Sequence, residues 1–201
     1  MIAIIDYDAG NIKSVEKALI FLGEQPVITR DKETLLKADK VILPGVGAFG
    51  DAMARLEEYG LIPIINEIVA KGTPFLGICL GLQLLFEESD EAPGVKGLSI
   101  LEGKIKRIPD SDGLKVPQIG WNSLHFDNEG SLFKGVDEGA YVYFVHSYYL
   151  EAKDEKIVTA STEYGVHVHA SVQKDNVYAC QFHPEKSSDV GLKMIKNFIE
   201  L

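Results

Sequence analysis

Cysteine is scarce in this sequence. Only two of the 201 residues are cysteines, Cys79 and Cys180. Small secreted domains that depend on disulfides carry many more, so a disulfide framework is excluded and a reducing compartment is predicted. The chain opens with the strand-like segment 1–5 and reaches Asp6 without a basic leader, a pattern unlike a signal peptide. We therefore expect the protein to reside in the cytoplasm.

Long apolar runs and positive charge are also lacking. No apolar stretch approaches the roughly 20 residues that a membrane-spanning helix needs. Acidic residues outnumber basic ones by 30 to 20, for a net charge of -10. Because phosphate contacts need clustered Lys and Arg, we expect no nucleic-acid or membrane partner. No repeat, low-complexity tract or flexible linker divides the chain, so we predict a single domain over residues 1–201.

The first half of the chain alternates strand and helix patterns. Buried strands are predicted at 2–6, 27–29, 41–43 and 74–78, and helices at 11–22, 48–59, 61–70 and 80–86. Such alternation is typical of a parallel sheet covered by helices on both faces, with ligands bound at the carboxyl ends of its strands.

The second half has a different texture. From Gly103 onward, short β-rich runs are predicted at 104–108, 121–126, 141–150, 157–162, 166–172 and 177–182. A helix is predicted at 189–201, behind the possible caps Ser187 and Ser188. The predicted fold is a three-layer α/β structure with a central, mostly parallel sheet and a smaller antiparallel β layer.

One cysteine stands at a position suited to a nucleophile. The segment Gly77-Ile78-Cys79-Leu80-Gly81 lies between a predicted strand and a predicted helix, and its glycines permit a tight turn. The amides at the start of the helix would stabilise a thiolate and a developing oxyanion. An inert buried thiol is an equally good interpretation of this segment alone.

A base for that thiol is found near the end of the chain. His183 follows a predicted strand, and Glu185 could fix its tautomer across the stiff Pro184 turn. Three of the remaining histidines are interpreted as structural residues: His125, His167 and His169. We expect neither a metal nor another cofactor, since no cysteine or carboxylate cluster accompanies them.

The loop Pro44-Gly45-Val46-Gly47 also follows a strand. It lacks the Lys and Ser/Thr of a phosphate-binding loop, so nucleotide binding is a weak interpretation. Its glycines could instead bring a backbone amide close to a reacting carbonyl, as a second oxyanion donor beside the Leu80 amide. A plain turn remains open from the local sequence.

Together these segments resemble the class I glutamine amidotransferases, whose catalytic triad is Cys, His and Glu. The resemblance rests on residues 77–81 with Gln83 and on residues 181–187. Further blocks at 10–11, 86–103, 117–122 and 143–148 resemble the glutaminase subunits of imidazole glycerol phosphate synthase, over nearly the whole chain. The resemblance implies a flavodoxin-like fold, and catalysis without a cofactor.

The resemblance also implies roles for single residues. Cys79 would attack the side-chain amide of glutamine, His183 would carry the protons, and Glu185 would orient His183. The backbone of Val46, Gly47 and Leu80 would form the oxyanion hole. Glutamine would be held by Gln83, the backbone around Ser147 and Tyr148, and, more weakly, Glu91. From local sequence, Gln83 could be merely a polar helix position and Glu91 part of a solvated acidic face.

The implied partner is a TIM-barrel cyclase subunit. A chain of this size has no room for a synthase domain that accepts ammonia, so we expect a heterodimer in which the cyclase forms imidazole glycerol phosphate and an aminoimidazole carboxamide ribotide for histidine biosynthesis. Docking candidates are Asn11, Trp121 and Tyr143, although both aromatic residues could be core residues. Rival hypotheses are a glutaminase for another synthase, a silent binding module and a cysteine peptidase.

Overall fold

The computed structural model describes residues 1–111 and 113–201. Strands and helices alternate over the first half of the chain. The strands are β1 (Ile2–Ile5), β2 (Val27–Thr29), β3 (Lys40–Leu43) and β4 (Phe75–Ile78). The helices are α1 (Ile12–Phe21), α2 (Lys32–Leu36), α3 (Phe49–Glu58), α4 (Leu61–Ala70) and α5 (Leu80–Leu84).

The second half is mostly strand and ends in a helix. Its strands are β5 (Glu88–Ser89), β6 (Gly103–Arg107), β7 (Gln118–Ser123), β8 (Tyr141–His146), β9 (Tyr148–Ala152), β10 (Val158–Glu163), β11 (His167–Lys174) and β12 (Val177–Cys180). Three short 3-10 helices cover Ser131–Phe133, Glu155–Ile157 and Pro184–Lys186, and α6 covers Ser188–Ile199.

Ten of these strands form one large sheet, in the order β2-β1-β3-β4-β12-β11-β9-β6-β5, with β10 paired to β11. Strands β2, β1, β3, β4 and β12 are parallel, and the antiparallel pairs begin at β11. Strands β7 and β8 form a separate antiparallel pair. The mixed α/β fold, with a large mostly parallel sheet and a small antiparallel sheet, is confirmed.

The central sheet is buried on both faces. Along β1, Ala3 and Ile5 belong to one apolar cluster, while Ile2 and Ile4 belong to the other. This alternation follows from the two-residue period of a strand. Continuous apolar strands therefore separate two layers of helices, as the sequence predicts for a parallel sheet.

The single β-rich run predicted at 141–150 is two strands in different sheets. Strand β8 pairs with β7 and ends before Ser147. Strand β9 begins after Ser147 and joins the large sheet through β6 and β11. At the break, the Ser147 carbonyl accepts a hydrogen bond from the Ile108 amide at 2.9 Å. Apolar periodicity alone does not reveal such a change of sheet, because both strands keep an alternating pattern. Within the described ranges, no helix combines the length and apolarity that crossing a bilayer requires.

Candidate active site

Cys79 lies at the tip of a tight turn between β4 and α5. Its backbone has φ 55° and ψ -108°, a conformation that L residues rarely adopt. The flanking glycines make this turn possible: a Cβ at Gly81 would lie 1.9 Å from the Leu43 carbonyl oxygen, and one at Gly77 would lie 2.8 Å from the Gly81 carbonyl oxygen. The glycines therefore allow α5 to pack directly on β3 and β4 while Cys79 is presented at its N-terminus.

His183 and Glu185 form a buried pair. The Nδ1 of His183 lies 2.9 Å from Oε1 of Glu185, and their side chains are only 1% and 0% exposed. Burial by itself would lower the pKa of His183, but its interactions with the Cys79 sulfur and the Glu185 carboxylate outweigh burial and raise the pKa. A carboxylate on Nδ1 leaves Nε2 as the nitrogen that can exchange a proton.

Ser187 fixes the backbone of this pair. It stands at the N-cap position of α6, but its hydroxyl makes no capping bond, so the sequence-based expectation of a side-chain cap is wrong. The hydroxyl instead donates to the His183 carbonyl at 2.6 Å and accepts from the Tyr143 amide at 2.9 Å. Ser187 thus ties the histidine turn to strand β8.

Cys79 and His183 open into one cavity of about 290 Å³. Every sequence-predicted catalytic, oxyanion and substrate residue except Glu185 lies in its wall. The lining residues are Val46, Gly47, Cys79, Leu80, Gln83, Glu91, Pro117, Val145, His146, Ser147, Tyr148, His183 and Lys186. Glu185 stands behind His183 instead, as a group that orients the imidazole would. The volume suits a small ligand such as one amino acid.

The Leu80 amide is occupied in this conformation. It donates to the carbonyl oxygen of Gly45 at 3.2 Å, so it does not point freely into the cavity. The Pro44 carbonyl accepts from the Tyr7 hydroxyl at 2.7 Å, and a Cβ on Gly45 would lie 2.4 Å from that hydroxyl oxygen. An oxyanion hole that uses Leu80 therefore requires the Gly45 carbonyl to turn away.

The predicted substrate residues have defined partners. The Gln83 Nε2 donates to the Tyr148 carbonyl at 3.2 Å and to the Gln181 Oε1 at 3.1 Å. Its Oε1 makes no hydrogen bond within residues 1–111 and 113–201. Glu91 accepts from the Phe49 amide at 2.8 Å and thereby holds the first turn of α3 as well as lining the cavity.

A family model described as glutamine amidotransferase class-I matches residues 3–201. The chain belongs to the class I glutamine amidotransferases. Two relatives are named imidazole glycerol phosphate synthase subunit HisH. That of Moorella thermoacetica is 52% identical, over 100% of this chain and 94% of its own length. That of Bacillus cereus strain G9842 is 50% identical, over 98% and 93%.

A solved structure described as a glutamine amidotransferase shares the fold. It has a TM-score of 0.78 at 22% identity and covers 98% of this chain and 97% of its own. The mixed α/β fold therefore has a direct structural counterpart. At such low identity the likeness supports the fold alone. The enzyme class predicted from the sequence is confirmed by the family model and by the HisH relatives.

The predicted docking residues of this amidotransferase differ in exposure. Trp121 is 52% exposed, and its ring meets that of the half-buried Tyr143 edge-on at 6.0 Å. Asn11 is only 4% exposed, and its Nδ2 lies 3.5 Å from the Glu185 Oε1. Its position supports the candidate catalytic carboxylate and offers little surface to a partner.

Five residues in or behind the cavity wall of the amidotransferase were missed from the sequence. Gln181, fully buried behind the wall, contacts both Cys79 and Gln83. His146 bonds the Tyr148 carbonyl, and Pro117, Val145 and Lys186 complete the wall. All five stand inside segments that carried the family resemblance, which was the available signal. Among the described residues, no group of three or more His, Cys, Asp or Glu side chains could hold a metal ion.

Proposed function

We propose that this amidotransferase is the glutaminase subunit of imidazole glycerol phosphate synthase. It hydrolyses glutamine to glutamate and ammonia and passes the ammonia to a cyclase subunit. The cyclase then forms imidazole glycerol phosphate and the aminoimidazole carboxamide ribotide of histidine biosynthesis. The main support is the identity of about one half to HisH subunits over the whole chain, together with Cys79 and a buried His183–Glu185 pair at one cavity.

The proposed chemistry begins at the Cys79 sulfur. Its thiolate attacks the side-chain amide carbon of glutamine, and the C–N bond breaks as His183 gives a proton to the departing ammonia. Water then loses a proton to His183 and attacks the thioester, which releases glutamate and the free thiol. The 2.9 Å contact between Glu185 and Nδ1 supports this role, because it holds the imidazole in the tautomer that can exchange protons at Nε2.

The amide of Gln83 suits the α-ammonium group of a glutamine substrate. Both of its N–H bonds are used by the Tyr148 carbonyl and by Gln181, which leaves Oε1 as an acceptor. An acceptor binds an ammonium group and not a carboxylate. We assign the α-carboxylate to the backbone at the break between β8 and β9, where Ser147 and Tyr148 line the cavity. Glu91, whose carboxylate already holds α3, is the weaker substrate contact.

Control of the reaction is proposed to act on the Gly45–Gly47 backbone. The Gly45 carbonyl covers the Leu80 amide at 3.2 Å, so the tetrahedral intermediate lacks one donor until this peptide rotates. Gly47 has φ +102° with open space around its Cβ position, which gives the loop a point of rotation. Docking of the cyclase would favour the rotated form, so hydrolysis without it would be slow.

The docking surface is proposed to be the outer face of the β7–β8 sheet. The side chains of Ile119, Trp121 and Tyr141 are 64%, 52% and 59% exposed. Tyr143 supports Trp121, and Val145 on the same face has its carbonyl 3.8 Å from the Cys79 sulfur. This face is apolar and lies beside the cavity, so a cyclase docked on it would lie close to the site where ammonia is released.

We further propose that the chain is one domain and works in the cytoplasm as a heterodimer.

The decisive experiment measures glutamate released from glutamine by this chain, with and without the cyclase subunit and its nucleotide ligand. Cys79→Ala serves as the blank. Release that rises strongly with the cyclase and vanishes in the variant would support the proposal. Glutamate release that is the same with and without the cyclase would support a glutaminase but contradict its assignment to histidine biosynthesis. No release under any condition would overturn it.

A further inference from the structure

A series of buried side-chain hydrogen bonds ends at the Cys79 sulfur and includes neither His183 nor Glu185. The amide of Gln181 lies between Gln83 and Cys79, and the side chain is 0% exposed. Its Nε2 is 3.6 Å from the sulfur, within the range of an N–H···S hydrogen bond. Its backbone amide donates to the Ala170 carbonyl at 2.8 Å, which fixes the residue just beyond the end of β12.

The Tyr148 backbone carbonyl determines which groups donate and which accept in this series of hydrogen bonds. The Tyr148 oxygen can only accept hydrogen bonds, so the Gln83 atom 3.2 Å from it must be the amide nitrogen. The second N–H of that nitrogen then faces Gln181, and the Gln181 atom 3.1 Å away must be an oxygen. The other end of the Gln181 amide, the end at the sulfur, is therefore an N–H donor.

The same carbonyl also fixes His146. Its Nδ1 lies 2.8 Å from the Tyr148 oxygen and must carry a proton. Burial lowers the pKa of His146 to about 4, so the ring is neutral and its Nε2, which lies 2.7 Å from the Oε1 of Gln118, is left as an acceptor. That contact becomes a hydrogen bond when the Gln118 amide turns its NH2 group towards the ring. Two donors on one carbonyl make the start of the series rigid, and Gln118 anchors it on β7.

A donor at the sulfur favours the thiolate over the thiol. The other neutral contact of the sulfur is the Val145 carbonyl, 3.8 Å away, which can only accept an S–H bond and therefore favours the thiol. A hydrogen bond from an N–H group to sulfur is stronger when the sulfur is a charged thiolate. Gln181 thus opposes the effect of Val145 without contributing any charge of its own.

We propose that Gln181 is a positioning residue of the glutaminase reaction. It holds the Cys79 thiolate and the substrate-binding amide of Gln83 in fixed positions relative to each other. The proposal rests on the proposed glutaminase function and deepens it. Loss of Gln181 would leave His183 and Glu185 in place, yet raise the pH at which Cys79 becomes reactive. It would also free one N–H of Gln83 and allow that amide to rotate away from the substrate.

The test follows alkylation of Cys79 by iodoacetamide as a function of pH, in wild type, Gln181→Met and Gln181→Asn. Met keeps the length and removes both polar atoms, whereas Asn keeps the amide but is too short to reach the sulfur. We expect the alkylation midpoint to rise by about 1 pH unit, and kcat to fall about 10-fold, because a hydrogen bond to a charged group is worth about that factor. Thr159→Val is the matched control. Its hydroxyl makes a buried hydrogen bond to Ser171 at 3.1 Å, away from the cavity.

The control should lower stability and leave the alkylation midpoint and kcat unchanged. A folded Gln181→Met or Gln181→Asn variant with the wild-type midpoint overturns the proposal; if only one of the two folds, that one decides. Wild-type activity on glutamine separates the two hypotheses. An active wild type with unaffected variants refutes the role of Gln181 alone, whereas an inactive wild type with its cyclase refutes the glutaminase function itself.

Discussion

Replacing Cys79 by glycine should stabilise the fold relative to replacing it by alanine. Both substitutions remove the sulfur, and they differ only in the Cβ. At φ 55° and ψ -108° the Cβ makes the backbone conformation unfavourable, and the surrounding fold holds the residue in it. Alanine keeps the resulting strain, and glycine removes it. The pair of variants therefore isolates the backbone energy stored at the turn between β4 and α5.

The expected difference follows from three contributions. Release of an unfavourable backbone conformation is worth about 1–3 kcal/mol. Against it stand the greater freedom of glycine in the unfolded chain, about 0.5–1 kcal/mol, and the loss of one buried carbon, about 0.8 kcal/mol. The glycine variant should thus be about 0.5 kcal/mol more stable than the alanine variant. At an unstrained site the order is reversed, with glycine about 1.5 kcal/mol less stable.

Urea denaturation of the two variants measures this difference, provided that their m values agree. Ala179→Gly gives the unstrained reference, because Ala179 is fully buried in the neighbouring strand β12, outside the positive-φ residues. It should lose about 1.5 kcal/mol relative to wild type. A Cys79→Gly variant that falls below Cys79→Ala by a similar amount would show that the turn stores no strain.

Three further predictions concern the loop, the buried histidine and the docking face. Gly45→Ala should lower the free energy of unfolding by about 1–3 kcal/mol, because the new Cβ would lie 2.4 Å from the Tyr7 hydroxyl oxygen. Adding Tyr7→Phe should restore part of that loss in urea titrations. A double variant whose loss equals the sum of the two single losses would contradict the clash. The pKa of His146 is depressed to about 4, so its contribution to stability is complete above the unfolded-state pKa of about 6.5 and is lost as the pH falls towards 4. Wild type should therefore lose more stability than His146→Gln between about pH 7 and about pH 4, and parallel curves would refute a neutral buried imidazole. Trp121→Ala should weaken cyclase binding at least 30-fold, or about 2 kcal/mol, as measured by calorimetry. Phe21→Ala, at the far end of α1 and 75% exposed, should leave the affinity unchanged, and equal losses would remove the β7–β8 face from the interface.

The sequence predicts the parallel half of the fold because each buried strand there is a short apolar run with turn residues behind it. Residues 74–78 and 80–86 are such a case, and β4 and α5 lie within them. Helix α2 was missed because its five residues are too few for an apolar period. Its signal was the cap at Asp31, whose carboxylate accepts from the Thr34 amide at 2.9 Å.

The candidate site was predictable where it depends on residue type and not where it depends on rotation about single bonds. Cys79, His183 and Gln83 line the cavity because each follows directly from a strand end or a helix turn. The Gly45 carbonyl over the Leu80 amide is a matter of one peptide orientation, which glycine permits in either direction. Gln181 was overlooked because a fully buried amide has no periodic signature and acquires meaning only from its neighbours.

Covalent labelling tests most directly whether Cys79 is the nucleophile of a glutaminase. A diazoketone analogue of glutamine reacts covalently with a nucleophile that faces the amide carbon, so the modified residue can be identified by peptide mass spectrometry of the chain with its cyclase. We predict one adduct, on Cys79, formed more slowly when glutamine is present and absent from Cys79→Ala. An adduct on the fully buried Cys180, or none at all in the assembled complex, would contradict it.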